Sequence, residues 1–338
     1  MSIPYRTQRA LKRFFVVLLI CAAVALLIWL CWLMWLSRFV VYTGKGAVFD
    51  FDRSSAELQG EPALPPDEGD LISIYYNEGD DTVQTTTELT QLTGYYIDTA
   101  ALQGDIEKIK QQIRTLPAGT PVMVDVKNSF GAFYYHTSVS EHITDTLDVD
   151  KVDELLKFLN RSGMYTIARL PSLRDYAYGL NHTRDGLPTA GGYLWADEDY
   201  RYWLNPGSEG TITFLISIAN ELKSMGFDEV VFFEFEFPKT NAIVFNGDKA
   251  QTLANTAQTL VNTCATGTFA VSFEGSDGFT PPTGRSRIFR ENVEAIAAAD
   301  VAAASGVSDP SVYLVFVTNL YDTRFNDYGV LRPLDSVL

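Results

Sequence analysis

Histidine occurs only three times in these 338 residues, and cysteine only three times. His136, His142 and His182 never fall into the H-E-x-x-H spacing that would put two imidazoles and a general base on one helix face, which excludes that type of zinc hydrolase. Two of the cysteines, Cys21 and Cys31, lie in one apolar run near the start, so Cys264 stands alone in the remainder and no intrachain disulfide holds that part together. Cys264, in "TLVNTCATG", falls in a helical pattern and is expected as a small buried residue, not a nucleophile. No G-x-S-x-G elbow and no G-x-G-x-x-G after a strand occur, which removes the usual signatures of an α/β-hydrolase and of a dinucleotide fold. No cofactor is therefore expected.

Basic charge is also in short supply. Five of the 26 basic residues precede position 39, which leaves 21 against all 42 acidic ones and a formal net charge of −21 on the rest of the chain. Such a surface repels phosphate backbones, so no nucleic acid is expected as a partner, and a neutral or cationic ligand fits better.

Charge is absent altogether from Phe14 to Leu36. At about 1.5 Å per residue that run covers a hydrocarbon layer roughly 30 Å thick, and it is too long for a signal peptide's apolar region of about 7–15 residues. Arg6, Arg9, Lys12 and Arg13 precede it and only Arg38 follows closely. The expectation is a cytoplasmic tail over 1–13, one transmembrane helix over 14–36 in the cell membrane, and an extracytoplasmic remainder.

Beyond the run, "FVVYTGKGAVFDF" reads as a hairpin, and "SSAELQGEPALPPDEGD", rich in Pro, Gly and acids without periodicity, reads as a linker. Residues 37–70 are assigned to this hairpin and linker, and residues 71–338 to one large domain. There strand-like runs ("LISIYYN", "GYYID", "PVMVDVK", "MYTIARL", "DEVVFFEFEF", "TFAVSFEG", "VYLVFVTNLY") alternate with helical patterns such as "DIEKIKQQIRTL" and "ITFLISIANELKSMG". That alternation implies α/β architecture with parallel pairing and right-handed crossovers. A TIM-type (β/α) barrel is expected, and since seven runs fall short of eight, an incomplete or distorted ring is one form it could take.

Polar residues gather where the strands end: Asp98, Asp125 with Lys127, Arg169, Glu234 with Glu236, and Glu274 with Asp277. Charged groups from five strands would converge on one face of a barrel. Asp125, Glu234, Glu236 and Glu274 are the candidate catalytic residues, carboxylates that acid–base chemistry would use in pairs. The aromatic-rich segments "FGAFYYHT", "DYAYGLNH" and "YLWADEDYRYWLNP" supply flat rings on which a ligand could stack, Tyr134 among them, although packing against the barrel is the commoner fate of such rings.

The ordered motifs "VMVDVKNSFG", "MYTIARLPSLRD", and "WLNP" with "IANELKSMGFDEVVFFEFEFP" resemble the glycoside hydrolase-like barrel family of bacterial extracytoplasmic proteins, over Gly94 to Pro238. The resemblance implies a TIM-type barrel acting on, or descended from enzymes acting on, polysaccharide or peptidoglycan. It assigns family positions to Asp125, Lys127, Arg169, Trp203 and Asn205, the last four as substrate-binding candidates together with Tyr134. Where the family reads "GFDEIQFDYIRFP", this chain has Phe233 in place of the aspartate and Glu236 in place of the arginine. A phenyl ring does no acid, base or nucleophilic chemistry. Strand alternation would point Phe233, Phe235 and Phe237 to one packed side and the two glutamates to the other, which favours non-catalytic glutamates. The alternatives are therefore a working hydrolase and a carbohydrate-binding or cell-envelope interaction module on a degenerate barrel.

Overall fold

The structure, a computed structural model, describes residues 5–43, 46–51, 88–276 and 278–334, without the side chains of residues 5–17, 20, 21, 23, 42 and 43. Two compact units divide the chain, residues 1–55 and 56–338.

In the first unit a single helix, α1 (Tyr5–Leu36), is followed by β1 (Val40–Thr43) and β2 (Gly46–Phe49), which pair antiparallel as the hairpin signal required. Described side chains of α1, such as Leu27, Trp29 and Met34, are exposed. Among the described residues no helix is long and apolar enough to cross a membrane, so the expected span is not supported by that measure.

The second unit runs β3 (Thr93–Ile97), α2 (Thr99–Leu102), α3 (Ile106–Ile113), β4 (Pro121–Asp125), α4 (Val149–Arg161), β5 (Tyr165–Pro171), α5 (Tyr176–Asn181), α6 (Glu209–Ser224), β6 (Glu229–Phe233), α7 (Lys249–Cys264), β7 (Ala270–Glu274), β8 (Ile288–Glu291), α8 (Ala298–Ala304), α9 (Pro310–Tyr313), β9 (Leu314–Val317) and β10 (Gly329–Pro333). Part of the acidic excess is spent on starting helices. Asp105, Asp148 and Asp248 each accept a hydrogen bond from a backbone N–H of the first turn of α3, α4 and α7, satisfying groups that have no partner inside the helix.

All eight strands from β3 to β10 pair parallel in chain order, and β10 pairs with β3, so the ring is closed. The incomplete ring is thereby corrected. Two strands escaped the sequence pattern, Ile288–Glu291 and Gly329–Pro333, while "LISIYYN" and the linker lie outside the described residues. The irregularity sits in the helix layer instead: no described helix separates β7 from β8, and only a single 3-10 turn separates β9 from β10.

Alternation sorts the strand residues into two packed layers. Met123, Ile167, Val231, Phe289, Val315 and Leu331 form the barrel interior, with exposures of 2% or less. Val124, Leu170, Phe232 and Phe273 face outward into the larger core with Leu155, Leu215, Ile218 and Leu260 of the helices. Toward the strands' N-terminal ends the interior is polar. Glu229 takes hydrogen bonds from Tyr165 Oη (2.9 Å), Ser272 Oγ (2.5 Å) and Arg287 Nη1 (2.5 Å). Arg287 also donates to the Thr90 carbonyl (3.0 Å), which ties the segment before β3 into this plug.

Candidate active site at the barrel mouth

Asp125, Arg169, Glu274 and Glu291 each lie two residues beyond an interior position (Met123, Ile167, Ser272 and Phe289), so each projects into the upper barrel at a strand's C-terminal end. Arg169 joins them: Nη1 meets Asp125 Oδ1 at 2.8 Å and Nη2 meets Glu291 Oε1 at 2.6 Å. The second Asp125 oxygen accepts from the Thr99 amide (3.0 Å) and hydroxyl (3.1 Å), and Tyr134 Oη lies 3.1 Å from that same hydroxyl. Phe233 caps the arginine, its ring centroid 4.0 Å from Cζ. Glu274 Oε2 accepts from the Glu234 amide at 3.1 Å.

Glu291 is the member that sequence reasoning missed, and its protonation is the most unusual. Burial pushes its pKa up from 4.5 to about 7; the nearby Glu274 and Asp125 charges add to the effect, and Arg169 opposes it. A carboxyl that still holds its proton near neutrality is what a general acid requires.

The "EFEF" segment corrects the alternation argument. β6 ends at Phe233, and Glu234 has φ of 51°, a left-handed conformation uncommon for a residue with a Cβ. Alternation therefore stops there. Phe233 alone points inward, Phe235 packs on Phe273 (4.8 Å) in the outer core, and Phe237 packs on Phe245 (4.7 Å). Glu234 turns to the loops above the barrel, where Arg174 Nη1 meets its Oε1 at 3.0 Å while Oε2 is buried without a hydrogen bond. Burial raises its pKa, with Arg174 and Lys127 pulling the other way. Arg174 also holds Asp197 and Asp199, each at 2.6 Å, and so fastens the 197–199 loop to the end of β6. Glu236 is half-buried and makes no hydrogen bond to a described residue.

Other expected site residues serve the framework. Lys127 is sealed, with no exposed side chain, its Nζ 2.7 Å from Asp175 and 3.1 Å from the Pro171 carbonyl. It is therefore a buried ion pair, not a group open to a ligand. Asp98 caps α2 through the Ala101 amide (2.8 Å), and Asn205 Oδ1 accepts from Gly207 N (3.0 Å) in the turn that leads to α6. Trp203 is buried and donates Nε1 to Asp197 at 3.0 Å. Tyr135 is buried with its hydroxyl 2.9 Å from Glu221, and Tyr176 stacks on Tyr202, so several rings of the aromatic segments pack internally. Cys264 is buried as expected, and Asp277 lies outside the described residues. Among the described residues no group of three His, Cys, Asp or Glu side chains is placed to hold a metal ion.

A closed eight-stranded parallel barrel with carboxylates and an arginine ringed at the C-terminal ends of its strands defines a TIM-type barrel, the class in which sites are built on that face. The family model described as "Putative glycosyl hydrolase domain" matches residues 95–268, slightly over half of the chain, and the chain belongs to that family. Asp125, Arg169 and Glu234 fall within the match; Glu274 and Glu291 lie beyond it. No curated protein sequence matches. Among solved structures, a hypothetical protein from Ruminiclostridium thermocellum is 19% identical with a TM-score of 0.47, over 54% of this chain and 97% of that one. The glycoside hydrolase domain of PelA from Pseudomonas aeruginosa is 13% identical with a TM-score of 0.43, over 73% and 97%. The GH36 alpha-galactosidase AgaA from Geobacillus stearothermophilus, in complex with stachyose, is 11% identical with a TM-score of 0.49 over 72% of this chain, which spans 39% of that enzyme.

Proposed function

We propose that the barrel mouth hydrolyses glycosidic bonds in a cell-wall or extracellular polysaccharide, with Glu291 as general acid and Glu274 as the second carboxyl of the pair. The observation that carries this reading is Glu291, a half-buried carboxyl paired with Arg169 at 2.6 Å and placed beside Glu274 and Asp125 at the strand ends, where desolvation pushes its pKa up to about 7. Arg169 and Asp125 act as positioning residues, since the guanidinium bridges Asp125 and Glu291 and fixes where each carboxyl stands. Chemistry assigned by the family pattern to the place now held by Phe233 moves, on this reading, to β7 and β8.

Phe233 supports one competing reading, a glycan-binding module that has kept the barrel and lost turnover, because its ring fills the position two residues beyond Val231. Release of reducing ends from a panel of cell-wall polysaccharides by the full chain in detergent separates the two. Turnover that falls about 10²–10⁴-fold in Glu291→Gln and in Glu274→Gln, without loss of fold, supports the acid and base roles. Binding of a glycan with no release of products by the wild type would show the binding module instead.

The reading also includes a membrane anchor. The 32-residue continuity of α1, the uncharged run from Phe14 to Leu36 and the four basic residues before it support an N-terminal single-pass anchor with the barrel outside the cytoplasm. Extraction of the protein from membranes by alkaline carbonate would refute the anchor, and protection of the barrel from protease added outside spheroplasts would refute its orientation.

A further inference from the structure

The helix layer is open on one flank. α3 packs on α4 and α6 packs on α7, but a groove of about 1910 Å³ separates α4 from α6. It is lined from Glu209 at the start of α6 to Met225 just past its end, and a helix of 16 residues is about 24 Å long at about 1.5 Å per residue. Asp125, Arg169, Glu274 and Glu291 take no part in its lining, so it is distinct from the barrel mouth.

The groove's walls are preformed. Glu221, on α6, accepts from Tyr135 Oη (2.9 Å), Thr137 Oγ1 (2.5 Å), Ser138 N (2.6 Å) and Ser138 Oγ (2.7 Å), which pins the 135–138 loop beside the helix. One edge carries a column of three stacked rings: His182 lies 4.1 Å from Tyr178, and Tyr178 lies 4.1 Å from Phe214, each nearly parallel. His182 is the exposed end of the column.

The chemistry of the lining selects the ligand. Thr213, Ser217, Asn220 and Ser224 follow one another at helical spacing along α6, a row of neutral hydroxyls and one amide. The side-chain amides of Asn181 and Asn220, both exposed, make no hydrogen bond to a described residue. Leu156 and Phe214 are buried at 2% and 8%, while Val139, Tyr178 and Met225 are half-buried, so the open lining mixes apolar and polar surface in the way a sugar with one apolar face and a rim of hydroxyls would match. Unpaired carboxylates at Glu141 and Glu209 outnumber the one lysine, Lys157, and so oppose an anionic chain.

We propose that the groove between α4 and α6 is a second glycan-binding site, holding an extended uncharged oligosaccharide through amide and hydroxyl contacts with a sugar face against His182. It does not require the mouth to be catalytic. Its length suits several linked sugar units, so affinity rises from disaccharide to hexasaccharide.

Calorimetric titration of the full chain in detergent, with cello-, chito- and β-1,3-gluco-hexasaccharides, their disaccharides, and a hexameric oligogalacturonate, tests the site. At least one neutral hexasaccharide is expected to bind more than tenfold tighter than its disaccharide. Ser217→Trp, which fills the groove, should weaken that binding about tenfold or more, and the double variant Asn181→Ala/Asn220→Ala about threefold or more. If Ser217→Trp loses its circular dichroism signal, the double variant decides. Hexasaccharide binding lost in Glu291→Gln but kept in the groove variants would overturn the proposal, as would equal binding of oligogalacturonate or no binding of any neutral hexasaccharide. Hydrolysis by the mouth, read as reducing ends, is scored separately.

Discussion

Replacing Glu291 by glutamine separates what the carboxyl does for chemistry from what its ionisation does to the fold. Burial raises its pKa from 4.5 to about 7. Between those values the native state holds a proton that the unfolded chain has released, so the stabilisation is complete below about pH 4.5 and is lost as pH rises through about 7. At about 1.36 kcal/mol per pH unit the ceiling is about 3.4 kcal/mol. With its side chain 22% exposed and paired with Arg169, we take about 1–2 kcal/mol as the working figure. Glutamine resembles the protonated acid and cannot ionise. Glu291→Gln should therefore match the wild type at pH 4 and exceed it by about 1–2 kcal/mol at pH 8.5, a rise in Tm of about 2–8 °C for a domain of this size. Thermal melts at the two pH values measure this directly, and turnover should fall in the same variant. A variant that melts lower than wild type at pH 8.5, by more than at pH 4, would show that Arg169 stabilises the ionised form, and the general-acid role would fail with it.

Turnover of the wild type should decline above about pH 7, as Glu291 loses its proton, and a kcat that stays level to pH 9 would contradict the assignment. Phe232→Ala, at a fully buried outward position, should cost about 3–5 kcal/mol in denaturant melts. Phe233→Ala, half-buried over Arg169, should cost less than half as much; equal costs would return Phe233 to the core. Lys127→Met leaves Asp175 buried and unpaired, and should destabilise by about 3–5 kcal/mol; an unchanged midpoint would mean that Lys127 is open to a ligand after all.

The barrel was legible because its longer strands are unbroken apolar runs, the pattern of strands buried on both faces. β8 and β10 were not. β8 has four residues and is flanked on its interior face by Arg287 and Glu291, so the features that give it a role also shorten its apolar signal. β10 begins with Gly329 and ends with Pro333, residues that read as loop punctuation. Glu291 was invisible for the same reason, since a strand-end residue is recognised only after the strand. Asp125, Arg169 and Glu274 were legible from their places after apolar runs, whereas the sealed Lys127 looks the same in sequence as an open one. For Glu234 the error lay in extending a period of two past the point where the backbone turns left-handed, and sequence gives no warning of that at a residue other than glycine.

Closure by β10 against β3 has a consequence for how the protein is made. The pair Thr93 and Val330 stands 237 residues apart in the chain. At synthesis rates of about 5–20 residues per second, β3 waits roughly 12–47 s for its neighbour on that side. Throughout that interval the half-made barrel is an open parallel sheet, with rows of unpaired N–H and C=O groups along β3 and along whichever strand was completed last, the kind of edge on which other chains add. Contacts of such long range also slow closure itself. A nascent chain held apart from its copies until Gly329–Pro333 has emerged would fold cleanly, and crowding of unfinished chains is the condition under which this barrel is most exposed to aggregation.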